Sequence, residues 1–411
     1  MQTTLSNGLR AIHIPSATAV SWCGFMVDCG TRDEASPAQF GLAHFIEHIL
    51  FKGTRHRDSF HINQRMESVG GELNAFTTKE NTTFYSVFLA KHFPRACELL
   101  CDLVIHPTAP QHELEKEREV VTDEIESYLD TPSENIFDEF ENVLFEGHPL
   151  GHNILGTADT VRTFDSATCL QFIRRHYRPD NMVFFYYGST PENEVLRTLE
   201  KYAQWPTPAE DEPTPPRRTV VPGFPYATAG FSRQLQQHTH QEHVLLGCPS
   251  FPVGDDRAPE MAILNNILGG PGMNSRLNRE LRERRGLVYT VESFVSPFID
   301  SGYFSVYLGC DHKDAEKCMK LCRREMLRLA EDGLTAKQLE AAKTQLKGQY
   351  AVATANLENI AVNAAKSLLR LGRIDSLEDT CRQLDRVTED SLRETARQVF
   401  CPTRISSFVI S

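Results

Sequence analysis

Gly41-Leu42-Ala43-His44-Phe45-Ile46-Glu47-His48-Ile49-Leu50-Phe51-Lys52-Gly53-Thr54 is the stretch on which the reading of this chain turns. Within it His44, Glu47 and His48 form the pattern H-x-x-E-H. On an α-helix, residues three and four apart share one face, so all three side chains project the same way. Two imidazoles at i and i+4 can chelate one metal ion, and a carboxylate between them can reach a water at an open coordination position. Leu42, Ala43, Phe45, Ile46, Ile49 and Leu50 supply the apolar side of a buried helix that holds the ligands rigidly. Short motifs also recur by accident. A third ligand therefore decides the matter, and in catalytic zinc sites a carboxylate from elsewhere in the chain can complete a histidine pair.

The candidate segment is residues 113–128, ELEKEREVVTDEIESY, acidic and helical in spacing. Such a run is ordinarily a solvated helix face. Glu117 and Glu124, however, stand seven apart and share a face beside Val120 and Val121, so that face points partly inward. A buried carboxylate is costly unless it is paired or bound to metal. With these residues the chain resembles the pitrilysin family of zinc metallopeptidases, most of all its mitochondrial-processing-peptidase-like bacterial branch. In that family the ligand glutamate follows the second histidine at about the distance that separates Glu124 from His48, 76 residues. The resemblance implies that His44, His48 and Glu124 bind Zn2+, one ion per chain, with Glu47 as general base. It also implies that Glu117 orients the ligands from behind.

The remaining composition bounds the function. At 411 residues the chain has room for two or three domains with sizeable cores. A net charge of −12 argues against a nucleic-acid or anionic-membrane binder and is compatible with an acidic chamber for basic peptides. No apolar run approaches the ~20 residues of a membrane span. The opening MQTTLSNGLRAIHIP has no signal-peptide core. Eleven cysteines occur without C-x-x-C pairs, and Cys97/Cys101 and Cys318/Cys322 have helical i,i+4 spacing. Reduced core thiols in a cytoplasmic protein are the expectation.

In chain order, residues 4–29 read as two strands with turns at Ser6-Asn7-Gly8 and near Pro15. A helix over 61–69 closes at Gly70-Gly71, and strands follow over 72–78 and 81–89. A helix over 92–106 is broken by Pro107 and Pro110, Pro149-Leu150-Gly151 and Gly156 mark loops, and residues 181–188 read as an apolar strand. Residues 205–225 hold seven of the 22 prolines, which makes them a semi-rigid linker. The second half then echoes the first. Phe84-Tyr85-Ser86-Val87-Phe88-Leu89 matches Tyr303-Phe304-Ser305-Val306-Tyr307-Leu308, each followed by a helix, and Leu114-Glu115 matches Leu339-Glu340, each before a long helix. Aligning Gly53 with Gly269 sets Glu260, Ile263 and Leu264 where His44, Glu47 and His48 stand, and the second half has no H-x-x-E-H. The expected fold is α+β (α/β two-layer), with two related domains from an internal duplication, each a mostly antiparallel sheet packed with helices. Residues 1–204 form the metal-binding domain, 205–230 the Pro-rich linker and 231–411 the related domain without metal.

Residues 275–293, SRLNRELRERRGLVYTVES, read as an arginine-rich helix entering a strand, ordinarily a solvated face. They closely resemble the family segment bearing an arginine and a tyrosine seven apart, here Arg282 and Tyr289. The resemblance implies that these two hold substrate and stabilise the tetrahedral intermediate, as oxyanion donors would. It likewise implies that the strand at Asn74-Ala75-Phe76 lines the cleft and pairs with the substrate backbone. Gly269-Gly270-Pro271-Gly272 is no phosphate loop, since no Lys-Ser/Thr follows. It weakly resembles, in shorter form, the glycine-rich loop of a non-catalytic processing-peptidase subunit. His238, His240, Glu242 and His243 could suggest a second metal, but an edge strand with polar residues outward fits better. The function implied is a zinc endopeptidase acting on peptides or unfolded segments in an enclosed chamber. Rival readings are a non-catalytic subunit of a peptidase-like complex and the catalytic subunit of a heterodimer. Because the chain carries both motifs, the resemblance favours a homodimer with sites shared between chains.

Overall fold

The computed structural model describes residues 1–206 and 229–411, so most of the stretch read as a linker (residues 207–228) lies outside the described residues. The first sheet contains β1 (Gln2–Thr4), β2 (Arg10–Pro15), β3 (Val20–Val27), β4 (Glu72–Thr77), β5 (Thr82–Leu89) and β6 (Met182–Gly188), in the order β1-β2-β6-β3-β5-β4. The two strands expected over residues 4–29 are β2 and β3, and the Ser6–Gly8 turn pairs a further short strand, β1, with β2. The second sheet contains β7 (Ser232–Leu235), β8 (Glu242–Pro249), β9 (Val288–Pro297), β10 (Gly302–Cys310) and β11 (Ser406–Ile410), ordered β7-β11-β8-β10-β9.

The duplication is written into the pairing. β2–β6 and β7–β11 are parallel, and every other neighbouring pair is antiparallel. Leaving β1 aside, the two sheets therefore share one strand order and one pattern of directions. The helix Leu42–Leu50 lies between β3 and β4 in sequence, and Ala258–Gly269 lies between β8 and β9.

Each sheet is covered on both faces. In β6, Met182, Phe184 and Tyr186 join the main core with Phe25, Phe45 and Phe93. Val183, Phe185 and Tyr187 alternate to the opposite face and are also buried. The helix Leu357–Leu371, from the far end of the sequence, packs against β2, β3 and β6. In the second sheet, Phe304, Val306 and Leu308 of β10 face the core, while Tyr303 and Tyr307 point away from it. There Phe140 packs on Tyr303 and Phe137 on Tyr307, at ring separations of 5.8 and 5.6 Å. Gly247 leaves the space that Phe140 fills, since a Cβ there would stand 2.4 Å from the ring.

The compact units consequently differ from the contiguous domains 1–204 and 231–411. The first comprises Met1–Tyr128, the chain from Glu141 to the undescribed stretch, and Asn356–Gly372. The second comprises Leu129–Phe140, the chain after that stretch to Ala355, and Arg373–Ser411. Each sheet's outer face is thus covered by a segment from the other half of the sequence. All eleven cysteines are free, and only Cys381 and Cys401 escape full burial. Among the described residues no helix is long and apolar enough to cross a membrane.

Candidate metal centre

His44 and His48 lie on the helix Leu42–Leu50, with Leu42, Phe45, Ile46, Ile49 and Leu50 fully buried beneath them. Their Nε2 atoms are 3.2 Å apart. From the helix Gln111–Leu129, Glu124 brings Oε1 to 3.7 Å from His44 Nε2 and Oε2 to 3.5 Å from His48 Nε2. Ligand atoms held about 2.0–2.2 Å from a tetrahedral zinc ion stand roughly 3.3–3.6 Å from one another. The three separations, 3.2–3.7 Å with one Glu124 oxygen facing each histidine, lie close to that spacing, and the His2Glu donor set is one that zinc takes in hydrolytic sites. Among the described residues this is the one cluster of His, Cys, Asp and Glu whose ligand atoms converge in this way.

Glu117 stands one step behind. Its Oε1 accepts the Nδ1–H of His48 at 2.8 Å, which leaves the Nε2 lone pair of that ring directed at the centre. Glu117 Oε2 meets Lys52 Nζ at 2.6 Å. Burial alone would raise the Glu117 carboxyl, but the hydrogen bonds from His48 and Lys52 outweigh it and hold the group below its ordinary range. For His48, burial opposes the charged ring, while the bond to Glu117 and the charges of Glu124 and Glu47 prevail and raise its pKa. His44 is driven the other way, down to about 3, by burial and then by the neighbouring His48. The helical face carrying the two glutamates is less inward than its sequence suggests. Val121 is buried but Val120 is 50% exposed, and the Glu124 side chain is 43% exposed.

Glu47 sits on the same helix face. Burial raises its carboxyl above the ordinary range against the opposing effects of Thr77 and His48. Thr77 Oγ1 donates to Glu47 Oε2 at 2.5 Å. Thr77 ends β4, so the strand carrying Asn74, Ala75 and Phe76 runs directly to the carboxylate. β4 closes one side of its sheet, pairing with β5 alone.

Arg282 and Tyr289 belong to the second unit. Arg282 is exposed on a short π-helix, Asn278–Glu283, and Tyr289 is 63% exposed at the start of β9. The Tyr289 hydroxyl donates to Asp311 Oδ1 at 2.6 Å. The edge-strand reading of residues 238–243 is corrected: β8 begins only at Glu242 and is an inner strand, between β11 and β10. Its polar residues are buried on opposite faces of the strand, Glu242 against His312 (3.1 Å) and His243 against the Tyr307 hydroxyl (2.8 Å). Sequence reasoning missed Lys52 and Thr77. Lys52 follows His48 by four residues, a helical spacing that could have flagged it, although the helix itself ends at Leu50.

Fold and donor set together define a two-unit α+β protein with a candidate metal centre in its first unit. Comparison with known proteins narrows this. The insulinase (peptidase family M16) model matches residues 11–158, and that of the peptidase M16 inactive domain matches residues 163–346. An uncharacterized zinc protease of Streptomyces coelicolor is 36% identical over 97% of this chain and 86% of its own length. An uncharacterized zinc protease of Bacillus subtilis is 31% identical over 97% and 95%. A protease from Helicobacter pylori has the same fold, with a TM-score of 0.90 over 100% of this chain and 99% of that one, at 21% identity. The chain belongs to the M16 peptidase family, the pitrilysin family of the sequence reading.

Proposed function

We propose that this chain is a zinc-dependent endopeptidase that cleaves peptides or unfolded segments in an enclosed chamber. The observation that carries the reading is the convergence of His44 Nε2, His48 Nε2 and the Glu124 carboxylate, with Glu47 on the same helical face. Zinc held there would supply Lewis-acid activation of a water and of the scissile carbonyl. Glu47 is the general base. With Oε2 engaged by Thr77, Oε1 takes the proton of the attacking water and afterwards returns it to the leaving amine. Glu117, neutralised by Lys52, fixes the His48 ring. An extended peptide adds to the free side of β4 along Asn74-Ala75-Phe76 through main-chain hydrogen bonds, a mode indifferent to side-chain sequence. Arg282 and Tyr289 donate to the developing oxyanion. For Tyr289 this requires exchanging its bond to Asp311.

Metal content and hydrolysis of an unstructured peptide, measured together, test the assignment. Glu47→Gln is expected to keep one zinc per chain while losing about 10²–10⁴-fold in kcat, the usual worth of a general base. A metal-loaded Glu47→Gln protein with wild-type turnover would overturn it.

The Arg/Tyr pair and the metal set lie on different halves of one chain, and in the proposed homodimer each chain's pair serves its partner's site. Glu47→Gln and Arg282→Ala chains are then each nearly inactive alone. Co-expressed, they form mixed dimers with one intact site. Activity returns to about a quarter of wild type when half the dimers are mixed, by two-fold symmetry. No recovery on mixing would place the pair in its own chain's site.

A further inference from the structure

The two histidines of the metal centre are braced differently. His48 has its Nδ1–H on Glu117. His44 Nδ1 is buried and has no hydrogen-bond partner among the described residues. A ligating histidine normally has its second nitrogen tied to a carboxylate or carbonyl, which fixes the ring. With that tie missing, the position of His44 depends on how its backbone is held, at the third residue of a nine-residue helix.

That backbone is held by an unusual cap. A helix N-terminus leaves its first N–H groups without intrahelical partners, and a Ser, Thr, Asp or Asn at the N-cap ordinarily satisfies one. Here the N-cap is Gly41, in left-handed conformation at φ 94, with no side chain to offer. None could be added, because a Cβ there would stand 2.5 Å from Leu155 O and 2.9 Å from Gly156 Cα. The cap comes instead from seven residues upstream. Glu34 Oε2 accepts from Gly41 N at 3.0 Å and Glu34 Oε1 from Ala43 N at 2.9 Å. A carboxylate at this end also complements the helix dipole.

Glu34 is itself clamped. His152 Nε2 lies 2.9 Å from Glu34 Oε2 and 3.1 Å from Thr31 O. A carbonyl can only accept, so this nitrogen carries the hydrogen and donates to both. The His152 ring stacks on Phe40 at 3.8 Å with 4° between planes. Glu34 and His152 are 6% exposed each. The loop that supplies His152 also supplies the Leu155–Gly156 backbone against which Gly41 rests.

We propose that Glu34, clamped by His152, is the positioning residue for His44, as Glu117 is for His48. The proposal rests on the zinc assignment above. Glu34→Gln is the sharpest probe, because its amide NH2 would face one of the two helix N–H groups it must accept from. Zinc affinity by chelator competition is expected to fall about ten- to a hundredfold, the range typical of groups behind a ligand. The visible absorption of the cobalt-substituted protein is expected to change band position. Glu34→Asp, which keeps the charge, should recover part of the affinity. His152→Phe, which keeps the ring on Phe40 and removes the donor, should weaken zinc several-fold and serves if Glu34→Gln does not fold. Val195→Ala, buried in the same unit on Glu192–Tyr202, is the control for general destabilisation: its melting temperature should fall with zinc affinity and cobalt spectrum unchanged. Wild-type zinc affinity and cobalt spectrum in folded Glu34→Gln or His152→Phe would reduce Glu34 to a structural cap and overturn the proposal. A wild-type chain that holds no zinc overturns the metal assignment with it.

Discussion

Two helices occupy the same place in the two sheets and have been put to different uses. On Leu42–Leu50 the aligned positions are His44, Glu47 and His48; on Ala258–Gly269 they are Glu260, Ile263 and Leu264. Ile263 and Leu264 are fully buried in the second core, and Glu260 Oε1 accepts from Ser391 Oγ at 2.8 Å. The partner helices diverge in the same way. With Leu114 set on Leu339, Ala342 stands for Glu117 and Gln349 for Glu124. The fold asks only for an apolar stripe along each helix, and Leu42, Phe45, Ile46, Ile49 and Leu50 supply it on one and Met261, Ile263, Leu264 and Leu268 on the other. The metal centre asks for polar exceptions, each of which is costly to bury alone and tolerable only with its partners present. That set is present in the first half and absent from the second.

The largest expected effect separates the two helices directly. His48→Ala should empty the centre and reduce peptide hydrolysis to background, with the chain still folded. Leu264→Ala, at the aligned position, should cost about 2–5 kcal/mol of stability, as large-to-small core changes do, and leave the zinc content alone. Zinc analysis after gel filtration and urea unfolding read the two outcomes. Zinc loss in Leu264→Ala would break the division of labour between the halves.

Glu117→Gln should act at an intermediate level. Zinc affinity is expected to weaken about ten- to a hundredfold without disappearing. Complete loss would make Glu117 a ligand, and no change would return it to an ordinary charged helix face. The smallest effect belongs to residues 238–243. His240→Ala should leave zinc content and turnover unchanged, because Glu242 and His243 are already committed to His312 and Tyr307. A measurable loss of zinc there would show a second centre in the half assigned none.

What the sequence made legible follows from how local each feature is. His44, Glu47 and His48 could be read because their geometry is set by one helical turn. The relation between the halves was readable from the β5 and β10 segments, and the strand order bears it out. Glu124 needed a count of residues borrowed from a resemblance, since nothing local says which carboxylate of an acidic helix meets two imidazoles. Thr77 and Glu34 were not legible at all, because each meets the metal-binding helix through tertiary convergence that no periodicity encodes, and Lys52 offered only its four-residue spacing from His48. The same holds for Leu357–Leu371 and residues 129–140. An amphipathic pattern says which face of a helix is buried, not against which sheet. That is why the compact units cross the boundary a contiguous reading would draw.

In the proposed enzyme one half of this chain holds a zinc ion and the other holds none. Anomalous diffraction at the zinc absorption edge from crystals of the full chain tests it most directly. The account requires one peak per chain, about 2.0–2.2 Å from His44 Nε2, His48 Nε2 and a Glu124 oxygen, and none in the second unit. A zinc-soaked crystal with no peak between those three side chains, or with an equal peak in the second unit, would contradict it.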